Sequence, residues 1–220
     1  MATATKPRPG PGRPSSGARE RILAGALEVL KRDGYAGLTT AKVAAASGQN
    51  KALIGYHFGS KQGLVAAVAR QVADEMTREV LDGLGEPRTA EALVAGALAG
   101  IWRVIERDEG VGRIYFDLAS QAAVEPEVRA IMAEMKAGFR SVVRDLLAGL
   151  SSPPPKRDRE PLAVYLIAGL EGLALDRLDR GETAALRRAR AIWTRAAAAA
   201  ISGSVERPAA SSARSATRRH

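Results

Sequence analysis

Residues 39–61 of this 220-residue chain read TTAKVAAASGQNKALIGYHFGSK. The stretch predicts two short helices joined by a glycine turn. Thr39 is a candidate N-cap for the first, over about residues 40–47, because its hydroxyl accepts a hydrogen bond from a backbone N–H left free at a helix start. Gly48 tolerates the left-handed backbone that ends this helix, and the second helix is expected over about residues 50–57.

The spacing within this stretch is typical of a helix-turn-helix motif. In that motif the second helix lies in the major groove of DNA, and the first braces it across the backbone. Ala44 provides the small residue that a tight crossing needs, Gly48 makes the turn, and Ile54 holds the second helix in place. Val43 and Phe58 close the small core. The pattern therefore predicts a DNA-binding head.

Helical periodicity extends outward from the motif over most of the chain. Upstream, apolar residues share one helix face as far as Gly34, and downstream Ser60 is a candidate cap for a long helix. Alanine fills 43 positions and aromatic residues only 4%, which also favours helices over strands. We expect an all-α fold of about nine helices. They cover about residues 19–34, 40–47, 50–57, 60–84, 89–106, 111–121, 125–150, 161–178 and 182–201.

The composition excludes several classes of site. The chain has no cysteine, and its only histidines are His57 and His220, so neither a thiolate metal site nor a histidine-rich one is expected. It has no Glu-x-x-His pair, glycine-rich phosphate loop or nucleophile elbow, which argues against an enzyme. It also has no run of eighteen apolar residues, and residues 1–14 lack the apolar stretch of a secretory signal. We expect a cytoplasmic protein with no metal, no cofactor and no membrane contact.

Charge divides the chain into unequal parts. Residues 1–70 contain 11 Lys and Arg against 3 Asp and Glu, whereas residues 71–202 contain 18 against 20. A basic unit followed by a near-neutral one predicts a polyanion contact in the first and another task in the second. The expected segments are a disordered basic arm (1–15), the helix-turn-helix domain (16–65), a second helical domain (66–202) and a disordered basic tail (203–220). The arm either inserts Arg13 into an A·T-rich minor groove or is a solvated tail that adds nonspecific attraction.

Several short motifs surround the turn: Gly34-Tyr35, Leu38-Thr39-Thr40, Val43-Ala44, Gly48 and Tyr56-His57-Phe58-Gly59-Ser60-Lys61. Together they resemble the TetR family of bacterial repressors, and the resemblance is specific over residues 19–64. Residues 116–147 are also similar to the choline-responsive branch of these repressors. Two positions depart from the family pattern, since Gln49 replaces an aliphatic residue and Gly55 an aromatic one.

The resemblance implies which residues contact DNA. They are Thr39, Thr40, Gln49, Asn50, Lys51, Ala52, Tyr56, His57 and Lys61. The four from Gln49 onward begin the recognition helix and meet base edges, where Gln and Asn bridge adenine atoms and Lys reaches guanine acceptors. The family's phosphate contacts, which set register without reading sequence, correspond to Thr40, Tyr56, His57 and Lys61. The alternatives are a surface-packed tyrosine, a histidine that fills space and ordinary solvated lysines.

The last two predicted helices are suited to dimerisation, which is expected because one head contacts only a few base pairs. Small residues on the first and apolar residues spaced by three and four on the second form the predicted seam. Its residues are Ala168, Gly172, Leu186, Ala189, Trp193, Ala196 and Ala200. In the family the corresponding pair forms a four-helix dimer interface. The alternative is that the seam packs within its own subunit.

The resemblance also makes residues 66–202 a ligand-binding domain with an internal cavity. The candidate lining is Trp102, Tyr115, Phe116, Phe139, Tyr165 and Glu171. The aromatic set indicates a mainly apolar ligand. Glu171 interrupts an apolar run and needs a partner. The partner is either a cationic or hydrogen-bonding ligand or an arginine across the dimer interface, Arg177 or Arg180.

The sequence therefore predicts a transcriptional repressor that binds a palindromic double-stranded operator as a homodimer and is released by a small-molecule inducer. The alternative is a constitutive DNA-binding protein without an inducer site. The two differ in whether any compound changes operator affinity.

Overall fold

The computed structural model describes residues 17–206, so the predicted arm and the tail beyond residue 206 lie outside the described residues. Over this range the fold is all-α, as predicted. Its helices are α1 (Ala18–Gly37), α2 (Thr40–Ser47), α3 (Lys51–Phe58), α4 (Lys61–Leu84), α5 (Ala90–Arg107), α6 (Glu109–Gln121), α7 (Pro126–Ala148), α8 (Lys156–Arg180) and α9 (Ala184–Glu206). None of these helices is long and apolar enough to cross a membrane, and within the same range no three acidic or histidine side chains cluster as metal ligands.

Polar caps fix where the short helices begin. Thr39 Oγ1 accepts a hydrogen bond from Lys42 N (3.2 Å) at the start of α2, and Ser60 Oγ accepts one from the third residue of α4 (3.0 Å). Asn50 lies just outside α3, where its Oδ1 accepts from Leu53 N (2.8 Å). The second short helix therefore begins one residue later than predicted, because Asn50 is its cap rather than its first residue.

α8 begins at Lys156, earlier than the predicted start at residue 161. The extra turn is held against α7, since the Glu160 carboxylate lies 3.2 Å from both Arg140 Nε and Arg144 Nη1. Pro161 consequently lies inside the helix as its sixth residue, so α8 lacks the backbone hydrogen bond that this position would donate to Arg157 O.

The core joins the first four helices to the rest of the molecule. One buried cluster contains Ile22, Val29, Val43, Ile54, Val65, Ile114, Leu118 and Val128, from α1–α4, α6 and α7. A second cluster, around Leu93, Leu147, Leu162 and Ile201, joins α5, α7, α8 and α9. α4 runs through the predicted domain boundary at residues 65 and 66, and α9 continues past residue 203, where the tail was expected. The division into domains stays a prediction.

The crossing of α1 and α2 depends on a glycine that the motif analysis did not single out. A Cβ atom at Gly25 would lie 2.8 Å from Ser47 N and 2.9 Å from Ser47 Cβ. Because the first of these contacts is backbone, α2 has to move away from α1 if Gly25 gains a side chain. Ala44, predicted to make this crossing, is partly buried against the same core.

Gly25→Ala is therefore expected to lower the free energy of unfolding by about 1–3 kcal/mol, as overpacked sites do. Gly138 on α7 provides the matched control, since a Cβ atom there meets nothing within 4 Å. Gly138→Ala should be neutral or stabilising by up to about 1 kcal/mol, because alanine favours helix. Urea denaturation of both variants measures the difference, and equal effects would contradict the close approach.

Candidate nucleic-acid interface and internal cavity

The outer side of α2 and α3 forms one continuous exposed surface. Ile54 is buried on the inner side of α3, so the residues opposite it face solvent. Six of the predicted DNA contacts lie on this exposed head surface: Thr39, Thr40, Asn50, Lys51, Ala52 and Tyr56. Tyr56 is 74% exposed, and a Cβ atom at Gly55 would meet nothing within 4 Å. The aromatic residue that Gly55 replaces would therefore have stood in solvent.

The other three predicted contacts are partly buried, and two of them donate to backbone carbonyls of the protein itself. Gln49 Nε2 donates to Gly48 O (3.1 Å) within its own turn. Lys61 Nζ donates to Tyr35 O (2.9 Å) and lies 4.2 Å from the centroid of the Tyr35 ring. His57 Nε2 is buried and has no hydrogen-bond partner among residues 17–206. The bond to Tyr35 O uses one of the three N–H donors of the Lys61 ammonium, which leaves two for a phosphate.

An ion-pair cluster that the sequence reasoning missed holds α2 to α1. Asp33 lies 2.8 Å from both Arg32 Nε and Lys42 Nζ. Hydrogen bonds from Arg32, and then from Lys42, hold the pKa of the Asp33 carboxyl well below its usual value. Lys42 therefore helps to position the start of α2.

A cavity of about 150 Å³ lies between α4 and the helices that follow it. Four of the six predicted ligand contacts line it: Tyr115, Phe116, Phe139 and Glu171. Trp102 lies outside its lining, because its Nε1 donates to Glu182 (3.0 Å) and Arg190 stacks on its ring. Tyr165 also lies outside, 42% exposed on the outer side of α8. Trp193, predicted for the dimer seam, lines the cavity instead.

Glu171 finds its partners within its own chain. Tyr115 Oη donates to its carboxylate, and Lys136 Nζ lies 3.2 Å from both carboxylate oxygens. Burial, and then the bond to Glu171, raises the pKa of the Tyr115 phenol well above its usual value. The predicted arginines are engaged elsewhere: Arg177 pairs with Glu109 and Glu182, and Arg180 with Asp176. Within the single chain Lys136 is therefore the cation that pairs with Glu171, and an arginine from across a dimer interface stays a prediction.

α6 contacts both the cavity and α1. Its residues Tyr115 and Phe116 line the cavity, whereas Asp117 Oδ2 accepts a hydrogen bond from Tyr35 N (2.6 Å) at the end of α1. Tyr35 Oη donates to Glu125 (2.5 Å), just beyond α6. Burial and this hydrogen bond raise the pKa of Tyr35 to about 12.

Two further contacts fix the same junction. Lys31 on α1 pairs with Asp108, the N-cap of α6. Gly34 bends α1 at a positive φ of 68°, and a Cβ atom there would lie 3.0 Å from Asp117 Oδ2. α6 is therefore attached to α1 at both of its ends.

α8 and α9 expose apolar residues on one side, which we call the α8–α9 outer face. It comprises Val164, Tyr165, Ala168, Gly172, Leu175, Ala189, Ile192 and Ala196. Four of these belong to the predicted seam. Leu186, Trp193 and Ala200 turn inward instead, with Leu186 only 2% exposed. Ile192, 61% exposed, was not predicted.

Comparison with known proteins shows the family. Residues 22–68 match the family model of bacterial regulatory proteins, tetR family, and residues 104–202 match that of the BetI-type transcriptional repressor, C-terminal. The chain belongs to the TetR family. The first match contains the whole exposed head surface, and the second contains residues 116–147, where the sequence resembles choline-responsive repressors.

Individual relatives of this TetR-family chain agree with the two matches. The HTH-type transcriptional repressor AcnR of Corynebacterium efficiens is 29% identical over 74% of this chain and 83% of its own. A putative TetR-family regulator from Rhodococcus sp. superposes with a TM-score of 0.71, at 24% identity, over 84% of this chain and 99% of its own. Multidrug binding protein EbrR, complexed with imidazole, superposes with a TM-score of 0.64, at 27% identity, over 83% of this chain and 90% of its own. The chain is thus a helix-turn-helix regulator of transcription, and its relatives are regulators rather than enzymes.

Proposed function

We propose that the chain represses transcription as a homodimer that binds a palindromic operator and is released by a small, mainly apolar molecule held in the cavity. The observation that carries this proposal is the double attachment of α6. Tyr115 and Phe116 place one side of this helix in the cavity wall, and Asp117 fastens it to the end of α1. A ligand that displaces α6 also displaces the helix on which the head is built.

The exposed head surface supports DNA binding. It presents a hydrogen-bonding side chain, Asn50, and a cation, Lys51, at the N-terminus of α3, where side chains reach base edges in helix-turn-helix complexes. Thr39, Thr40 and Tyr56 flank them at positions suited to phosphate contact.

The α8–α9 outer face supports a dimer. Its residues form an apolar strip on two adjacent helices, and such a strip is normally covered by a partner. A second copy meeting it about a two-fold axis makes a four-helix interface, and two symmetric heads then require symmetric half-sites.

The cavity supports regulation by a small molecule. It is lined mainly by aromatic and aliphatic side chains, as ligand sites commonly are. EbrR, of the same fold and 27% identical, is described as a multidrug binding protein and holds imidazole in its crystal structure.

Genome-wide mapping of the DNA that the chain protects, followed by a screen for compounds that release it, tests the proposal. We expect an inverted repeat, an affinity that falls steeply with salt because several phosphates are contacted, and release by at least one apolar compound. A single asymmetric half-site bound by a monomer contradicts the dimer. An operator affinity that no compound changes favours the constitutive alternative.

Asn50 is expected to read bases as well as cap α3, and two substitutions separate these roles. Asn50→Ser keeps a capping oxygen but loses the amide, whereas Asn50→Ala loses both. Both should cost about 1–3 kcal/mol of operator binding and relax the preference at one or two base pairs. Only Asn50→Ala should also lose about 1 kcal/mol of folding stability. Binding to operator variants and urea denaturation measure the two effects, and an unchanged base preference in Asn50→Ser means that Asn50 is only a cap.

A further inference from the structure

We propose that the cavity selects neutral, apolar molecules of about one aromatic ring, and that Lys136 sets this selectivity by neutralising Glu171. The ligand class belongs to the cavity described above, so the inference rests on the proposed function. The sequence alone left a cationic ligand open as the partner of Glu171, and the contacts around that carboxylate now argue against it.

The wall of the cavity offers a ligand almost no polar group. The polar groups of the lining are the side chains of Thr77, Tyr115 and Glu171 and the indole nitrogen of Trp193. All its other residues are apolar. The Tyr115 hydroxyl is already used, since it donates to Glu171. Trp193 Nε1 packs against the backbone of α8, because a Cβ atom at Gly169 would lie only 1.9 Å from it. Trp193 Nε1 has no hydrogen-bond partner among residues 17–206, so a neutral ligand can place an acceptor atom there. Because this group is a donor, it offers nothing to a cation.

The one carboxylate in the lining is already compensated. Lys136 Nζ, on α7, lies 3.2 Å from each oxygen of Glu171, and Tyr115 adds a hydrogen bond. A cation that enters the cavity loses its hydration, and the one carboxylate in the lining that could compensate it is already paired with Lys136. A neutral ligand leaves this pair intact. The charge balance therefore favours neutral over cationic ligands of the same shape.

The size of the cavity limits the ligand further. An engineered cavity of about 150 Å³ lined by Leu, Ile and Phe stays dry and binds benzene, and the cavity here has about the same volume. Three rings of the wall pack on one another, with Tyr115 edge-on to Phe116 at 5.2 Å and tilted toward Phe139 at 6.3 Å between centroids. Offset and edge-to-face contacts are the preferred geometries of aromatic pairs.

Calorimetric titration of the full chain with ethylbenzene and with benzylammonium tests this selectivity, because the two probes have nearly the same shape and differ in charge. We expect ethylbenzene to bind at least about tenfold more tightly than benzylammonium, which corresponds to about 1.4 kcal/mol. Lys136→Met should bind benzylammonium about tenfold more tightly than the wild type, since the carboxylate is then unpaired. Lys136→Arg, which keeps the charge, should retain the wild-type preference.

The inference is overturned if benzylammonium binds the wild type as tightly as ethylbenzene, if neither probe binds, or if Lys136→Met leaves the ratio of affinities unchanged. Circular dichroism checks that each variant folds, and Lys136→Gln replaces Lys136→Met if the latter does not.

Adding the probes to the operator complex separates this inference from the proposed function. If ethylbenzene binds without releasing DNA, the selectivity holds and the proposed release by a ligand is contradicted. If only a charged compound releases DNA, release by a ligand is supported and the selectivity is contradicted.

Discussion

Replacing Ile192 with glutamate is expected to separate the proposed dimer into monomers and to weaken operator binding by at least about 100-fold. Ile192 is 61% exposed in the single chain, near the middle of the apolar residues that α9 contributes to the α8–α9 outer face. In a two-fold interface the substitution occurs twice, so two carboxylates lose their hydration without a partner. A monomer then holds only one half-site.

Sedimentation velocity and operator titration of Ile192→Glu measure both effects. Ala137→Glu is the matched control, because Ala137 is exposed on α7 and lies outside the α8–α9 outer face. It should remain dimeric and bind the operator as the wild type does. An Ile192→Glu protein that sediments as a dimer would show that the interface lies elsewhere.

The helix-turn-helix region could be predicted in detail because local chemistry determines it. Thr39 and Ser60 are capping residues wherever they precede a helix, and Gly48 takes a positive φ of 63° that favours glycine. Each of these signals acts within a few residues of its own position. The bounds of α2 and the start of α4 followed from them.

The orientation of α9 could not be predicted in the same way. Five consecutive alanines end at Ala200, so small apolar residues occur on every side of the helix and their spacing defines no unique face. Packing against α5 and α8 determines which side of α9 faces inward, and it buries Leu186 while leaving Ile192 exposed. The predicted seam therefore mixed two sides of one helix.

The partners of polar groups were missed for a related reason. Trp102 donates to Glu182, and Lys136 pairs with Glu171, across 80 and 35 positions of sequence. Spacing within a helix carries no information about such pairs. The available signal was that Glu171 interrupts an apolar run and so requires a buried partner, but it did not identify Lys136 among the many cations.

Filling the cavity is expected to make the repressor insensitive to its inducer. Ala97 lines the cavity from α5, and in Ala97→Phe a benzyl side chain occupies the space that the ligand needs. The cavity has about 150 Å³ of free volume to take this ring, so the substitution should leave the melting temperature about unchanged. Operator binding should persist, because Ala97 lies on α5, outside the exposed head surface.

Compounds that release the wild type from the operator should fail to release Ala97→Phe at any soluble concentration. Ala99→Phe on the same helix is the control, since Ala99 is exposed to solvent and its side chain leaves the cavity open. If overpacking unfolds Ala97→Phe, the smaller Ala97→Leu tests the same point. Release of a folded, cavity-filled protein at wild-type concentrations would mean that the inducer binds at another site. The attachment of α6 to α1 through Asp117 would then serve only to hold the head in place.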